Sequence, residues 1–107
     1  MFVKSKDVQS EELDGSISRK ILARGGSLMT VEVAFKKGGV GALHSHSHEQ
    51  ISYVTQGSFL YIIEDGEKIL CAGDSCYVPP GALHGVTALE DAKLIDVFTP
   101  QREDFLK

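Results

Sequence analysis

Residues 44 to 50, His-Ser-His-Ser-His-Glu-Gln, set three imidazoles at alternate positions ahead of a carboxylate and an amide. Successive side chains of a strand point to opposite faces, so His44 and His46 share one face and can converge on one ion. A coordination shell needs further donors. Gln50 has the same parity and follows a short turn, and His84, within "VPPGALHG", is the one other histidine outside this stretch. Glu49 is a competing donor, but its parity is opposite. His48 has the right parity but falls inside the turn, which suits a surface or supporting histidine better than a ligand. The alternative to a metal site is a set of histidines lining a lumen without metal. If metal is bound, it is expected to be one divalent transition-metal ion. Imidazole suits nickel, zinc, iron and copper alike, so the choice among nickel, zinc, iron or manganese stays open.

These residues must be held by strands. Short apolar stretches alternate with glycine-rich turns: "SRKILA" before "RGGS", "LMTVEVAF" before "KKGGVG", "QISYVTQ" before Gly57, "FLYIIE" before Asp65-Gly66, then "EKILC", "CYVP" and "AKLIDVF". Strands at this spacing predict an all-β sandwich or barrel. Asp65-Gly66 predicts a hairpin turn. Only residues 5 to 13 and the few after Pro100 have a helical pattern. In "AKLIDVF", Leu94, Asp96 and Phe98 share one face while Lys93, Ile95 and Val97 share the other. An aspartate among inward apolar residues is not solvent decoration. Ser52 and Val54 follow Gln50 on its inward face, and Tyr53 points outward.

A chain of 107 residues suits one domain, 1–107, with a small core that an additional interface would help to stabilise. A net charge of −4 excludes the basic face that nucleic acid requires. No apolar run approaches the roughly 20 residues of a membrane span. The start, "MFVKSKDVQSEEL", lacks the apolar core of a signal peptide, so the cytoplasm is the expected compartment. There Cys71 and Cys76 are expected as two reduced thiols rather than a disulfide or redox pair. Arg24 receives no role.

Two spacings extend beyond a histidine count. Gly38, His44, His46, Gln50 and Gly57 follow G-x5-H-x-H-x3-[E]-x6-G with glutamine in the bracketed place; Gly73, Pro79, Gly81 and His84 follow G-x5-P-x-G-x2-H. These stretches, 38–57 and 73–84, resemble the two motifs of the cupin superfamily. The resemblance implies a small double-stranded β-helix, or jelly-roll, barrel with little or no helix, and a metal held by His44, His46, Gln50 and His84. The amide in place of a carboxylate leaves the ion's charge uncompensated, which strengthens it as a Lewis acid and weakens its retention.

"HSHSHEQISYV", "AGDSCYVPPGALHG" and "LIDVFTPQREDFL", the last running into the tail 99–107, further resemble the KdgF family of small cupins, which also carries glutamine at the third ligand position. That resemblance implies an enzyme of pectin and alginate breakdown, opening the ring of 4,5-unsaturated monouronates to linear 4-deoxy-5-keto-uronate. Such chemistry needs an electrophile for oxygen, which a metal supplies, and a proton carrier. Asp96, its pKa raised by an apolar setting, fits the carrier; otherwise it supports a ligand histidine. Arg102 can hold the sugar carboxylate through two parallel hydrogen bonds, or pair with Glu103 or Asp104. Phe98 packs on the sugar or fills core, and Ser52 lines the substrate lumen.

The alternatives are a metal-dependent oxygenase or lyase of another small acid, and a sugar-binding cupin without activity. A lumen carrying Asp96 and Arg102 favours a carboxylated sugar; an apolar one favours flavonoid-like substrates. Small cupins resemble one another in forming homodimers, and Tyr53, Ile95 and Val97 could supply that interface.

Overall fold

The computed structural model describes residues 1–107. Ten strands account for nearly all regular structure: β1 (Glu11–Asp14), β2 (Ile17–Gly25), β3 (Leu28–Phe35), β4 (Val40–His44), β5 (Glu49–Gln56), β6 (Ser58–Ile63), β7 (Gly66–Cys71), β8 (Ser75–Val78), β9 (His84–Ala88) and β10 (Ala92–Thr99). They form two antiparallel sheets, one of six strands in the order β1-β2-β3-β10-β5-β8 and one of four in the order β4-β9-β6-β7. The all-β expectation holds. No helix is long and apolar enough to cross a membrane.

Alternation writes the core. On β10, Ala92, Leu94 and Phe98 are buried with Asp96 between them; on β5, Gln50, Ser52 and Val54 are buried while Ile51 and Tyr53 are exposed. The register sets Leu94 against Val54, Asp96 against Ser52 and Phe98 against Gln50. At one end Ile17, Phe35, Val54, Phe59, Ala88, Ala92 and Leu94 pack together, with Phe35 edge-on to Phe59 at 5.0 Å. Met29, Val31 and Phe98 form a second cluster, and Tyr61, Val78 and Ala82 a third. Burying each large apolar side chain is worth about 1.5–3 kcal/mol, which offsets the cost of enclosing the polar groups on β5, β9 and β10.

Gly57, the last residue of the first motif, has φ +73°, and a Cβ there would lie 2.5 Å from the Asp91 carbonyl oxygen. Only glycine lets the β5–β6 turn seat against the start of β10.

Three expectations need correction. Residues 5 to 13 are not helical: only Ser5–Asp7 form a 3₁₀ turn, while β1 pairs with β2. The Asp14 carboxylate accepts from the Ser16 amide at 2.7 Å, closing a tight turn that pairs the two strands. The hairpin expected at Asp65-Gly66 does form, between β6 and β7, but its turn is one residue earlier, made by Glu64 and Asp65 with Glu64 at φ 52°, and Gly66 already belongs to β7. His46 lies past the end of β4 rather than on it. The last few residues do turn, as a 3₁₀ segment over Glu103–Leu106.

Candidate metal centre and pocket

His44 closes β4 and His84 opens β9, and the two pair directly across the sheet, with ring centroids 4.3 Å apart. His46, in the following loop, lies with its ring 5.6 Å from His44 and 4.9 Å from His84. One ring nitrogen from each of the three lies within 4.8 Å of the others. Each Nδ1 meets a backbone carbonyl: Ala42 for His44 at 2.8 Å, His48 for His46 at 3.2 Å and Ala82 for His84 at 2.9 Å. A carbonyl only accepts, so in the neutral rings of His44 and His84 Nδ1 carries the hydrogen and Nε2 presents a lone pair.

Burial holds the pKa of His46 and of His84 below the usual histidine range, which favours neutral imidazoles. The Nε2 of His84 is buried without any partner. The Nε2 of His46 lies 2.8 Å from the Gln50 Oε1. Three imidazoles and an amide oxygen that converge, with the buried Nε2 of His84 left unpartnered, fit a divalent metal ion.

Gly85 makes the convergence sterically possible. A Cβ there would lie 2.8 Å from the Gly41 carbonyl oxygen and 3.1 Å from the Leu43 nitrogen, so a side chain would push β4 from β9. Gly85→Ala is expected to lower stability by roughly 1–3 kcal/mol and to weaken metal binding by separating His44 from His84. Urea unfolding and a zinc titration check both parts.

Beside the histidines lies a polar network. The Gln50 amide nitrogen donates to Asp96 Oδ1 at 3.0 Å and to Ser52 Oγ at 3.1 Å. The Ser52 hydroxyl donates to Asp96 Oδ1 at 2.5 Å and lies 2.8 Å from the Tyr61 hydroxyl. Burial raises the Asp96 pKa to about 6, against the opposing pull of the Ser52 and Gln50 hydrogen bonds and the Arg102 charge. Burial and the nearby Asp96 charge push the Tyr61 phenol above its ordinary range, so it is neutral.

The raised Asp96 value makes a stability prediction. Well below the ordinary value of 3.8 the carboxyl is protonated in both folded and unfolded chains and has no effect. As pH rises towards 6 the fold opposes ionisation, and above that the full cost, on the order of 2–3 kcal/mol, is present. Asp96→Asn keeps an acceptor oxygen and removes the cost. The metal-free variant is expected to come closest to the parent at about pH 3 and to exceed its stability near pH 8. Urea unfolding at both pH values checks this; a gap that does not change with pH contradicts it.

Asp96, His44, His84, Gln50, Phe98 and Arg102 border one pocket of about 130 Å³. Arg102 is 9% exposed. Its Nε and Nη2 grip the Asp104 carboxylate at 3.0 and 2.8 Å, and its guanidinium lies 5.1 Å from the Phe98 ring centre and 4.2 Å from that of Phe105. The forked edge expected for a substrate carboxylate is thus engaged by Asp104, leaving Nη1. Phe98 also stands edge-on to His46 at 5.7 Å. Ser52 is fully buried behind Asp96 and Gln50 rather than on the open wall. Glu49 points outward and accepts from the Tyr77 hydroxyl. His48 stands beside His46 and Phe98, outside the three-histidine cluster. Cys71 and Cys76 are free thiols. Arg24 donates to the Gln101 side chain.

Three residues escaped the sequence reading. Arg19 lines the pocket, stacked 3.8 Å over Phe105 and paired with Glu11 at 2.6 Å. Its parity with the inward Ile17 was a readable signal. Tyr61 shares parity with buried Phe59 and was equally readable. Phe105 depends on how the tail folds, which no local pattern gives.

The cupin domain pattern matches residues 31–98. The chain is 46% identical over 98 residues to the "Pectin degradation protein KdgF" of Dickeya dadantii, covering 90% of this chain and 89% of that protein. Its structure is similar to that of KdgF from Halomonas sp., with a TM-score of 0.95 and 38% identity over 98% of this chain and 99% of that one. It is also similar to an RmlC-like cupin from Shewanella frigidimarina, with a TM-score of 0.94 and 39% identity over 97% of this chain and 94% of that one.

Proposed function

Because this chain belongs to the cupin family, and within it to the KdgF group, we propose that it opens the ring of 4,5-unsaturated monouronates in the cytoplasm, yielding linear 4-deoxy-5-keto-uronate. The observation that carries this reading is the placing of the Asp96 carboxyl group in one pocket with His44, His84, Gln50 and Arg102. An apolar lumen would have favoured the oxygenase alternative, and this pocket carries Asp96, Arg102 and Arg19.

His44, His46, Gln50 and His84 would hold the metal. When bound, a divalent ion such as nickel, zinc, iron or manganese supplies Lewis-acid stabilisation of negative charge on oxygen. Arg102 offers Nη1 to the sugar carboxylate, its plane fixed by Asp104 and by Phe98 and Phe105. Phe98 forms the pocket wall against which the sugar packs.

The proton balance is simple. The anomeric hydroxyl loses a proton as the bond from C1 to the ring oxygen breaks and the aldehyde forms; the ring oxygen becomes the oxygen of a C5 enolate. A proton delivered to C4 turns the enolate into the 5-ketone. One proton leaves, one arrives, and nothing is oxidised, so one carboxyl can accept the first and deliver the second. Its pKa near 6 leaves both forms accessible close to neutral pH.

Delivery from a fixed side chain reaches one face of C4. In heavy water the product is expected to carry deuterium in one of the two C4 positions, as read by proton NMR. Equal labelling of both positions, as in spontaneous ketonisation, contradicts delivery by the protein.

We also propose a homodimer through the outer face of the large sheet, where Ile51, Tyr53 and Tyr77 are exposed and Ile95 and Val97 partly so. Sedimentation at micromolar concentration is expected to show the dimer, and a dominant monomer refutes it.

A further inference from the structure

The Gln50 side chain has two ends of similar shape and opposite chemistry. Only the oxygen end can serve a metal; the NH₂ end has no lone pair to give. What turns the amide is therefore part of the centre, and the structure holds a device for it.

Tyr61 is 4% exposed and Ser52 fully buried, so their hydroxyls have no water to satisfy them. The proton assignments then follow in order. Asp96 Oδ1, 2.5 Å from Ser52 Oγ, takes the serine proton. Ser52 Oγ, its proton spent, accepts at 2.8 Å from the Tyr61 hydroxyl. Tyr61, its proton spent on Ser52, shows a lone pair to the Gln50 amide at 3.5 Å, a contact too long to count as more than orientation. Every oxygen around the inner end of Gln50 thus presents lone pairs. An amide nitrogen there gains donors' partners at 3.0 Å on Asp96 and 3.1 Å on Ser52; an amide oxygen there would meet only repulsion. The outer end, set 2.8 Å from His46 Nε2, is then oxygen.

We infer that Ser52 and Tyr61 are positioning residues: the chain Tyr61 to Ser52 to Asp96 fixes the polarity of the Gln50 amide and holds its oxygen towards the His44–His46–His84 cluster. This rests on the reading of Gln50 as a metal ligand. It also accounts for an amide at this position, because a carboxylate would set a second acidic oxygen about where the amide nitrogen now meets Asp96 at 3.0 Å. Removing the Ser52 hydroxyl takes away one acceptor and frees the Tyr61 proton, which then favours an oxygen at the inner end. Both changes release the amide to turn.

The test is a zinc titration of the full chain against a chromophoric chelator, for the parent, Gln50→Ala, Ser52→Ala, Tyr61→Phe and the double variants with Gln50→Ala. Ser52→Ala is expected to weaken zinc binding about tenfold, the scale of losing a partner that orients a ligand, and Tyr61→Phe by about threefold. In the Gln50→Ala background neither substitution should change the affinity further, because there is no amide left to orient. If Gln50→Ala leaves zinc binding unchanged, Gln50 is not a ligand and the inference falls with that reading. If Gln50→Ala weakens binding but Ser52→Ala and Tyr61→Phe do not, the positioning role alone is overturned. Equal losses in both backgrounds overturn it too, since a merely structural role acts regardless of residue 50. Should Ser52→Ala fail to fold, Tyr61→Phe, which removes one oxygen and keeps the ring, decides the matter by the same comparison.

Discussion

Asp96→Asn is expected to lower turnover of a 4,5-unsaturated uronate by roughly 10²–10⁴-fold, the range for losing a positioned proton carrier. Zinc affinity should stay within about threefold of the parent, well below the cost of losing an orienting partner. The two expectations separate chemistry from architecture. An asparagine at 96 still offers an oxygen to the Ser52 hydroxyl and the Gln50 amide, so the metal site keeps its arrangement. What it loses is a group able to hold and release a proton near neutral pH. The same variant should be more stable than the parent near pH 8, because the parent ionises a buried carboxyl there. Lower turnover with higher stability is hard to obtain from a damaged fold. A fall in turnover matched by an equal fall in zinc affinity would instead make Asp96 a support for the ligands. Steady-state kinetics with the zinc titration decide between them.

His84→Ala should weaken zinc binding by more than about 100-fold, beyond the loss of any supporting contact. His84 is 2% exposed, and its Nδ1 is held by the Ala82 carbonyl while its Nε2 has no partner. A buried imidazole nitrogen with nothing to bond is a standing cost to the metal-free fold. Removing the ring should therefore change metal-free stability little while removing binding. If zinc still binds with near-parent affinity, the three-histidine cluster is not the site.

Much of this arrangement was legible in sequence because strands alternate. That period brings Gln50, Ser52 and Val54 inward, and likewise Leu94, Asp96 and Phe98. It separates Gln50 from Glu49, which ends at the surface under Tyr77. The spacing of the motif glycines carried the turns that bring His44 against His84. Parity could not place His46, which leaves β4 and reaches the cluster through its loop. The start of β1 fell within the stretch read as helix because its four positions are all exposed and show no alternation of buried and exposed residues. The pairing of Arg102 with Asp104 was one of two weighed options, and its choice depended on the 3₁₀ turn over Glu103–Leu106. Contacts made by a folded tail carry no period to read.

The most direct test of the central claim is the rate at which the conjugated-enol ultraviolet absorbance of 4,5-unsaturated galacturonate and guluronate disappears with the metal-loaded protein. Loss well above the spontaneous rate is expected for at least one of the two sugars, brought to background by His84→Ala and reduced by Asp96→Asn. Loss at the spontaneous rate with metal bound and both sugars supplied would contradict it.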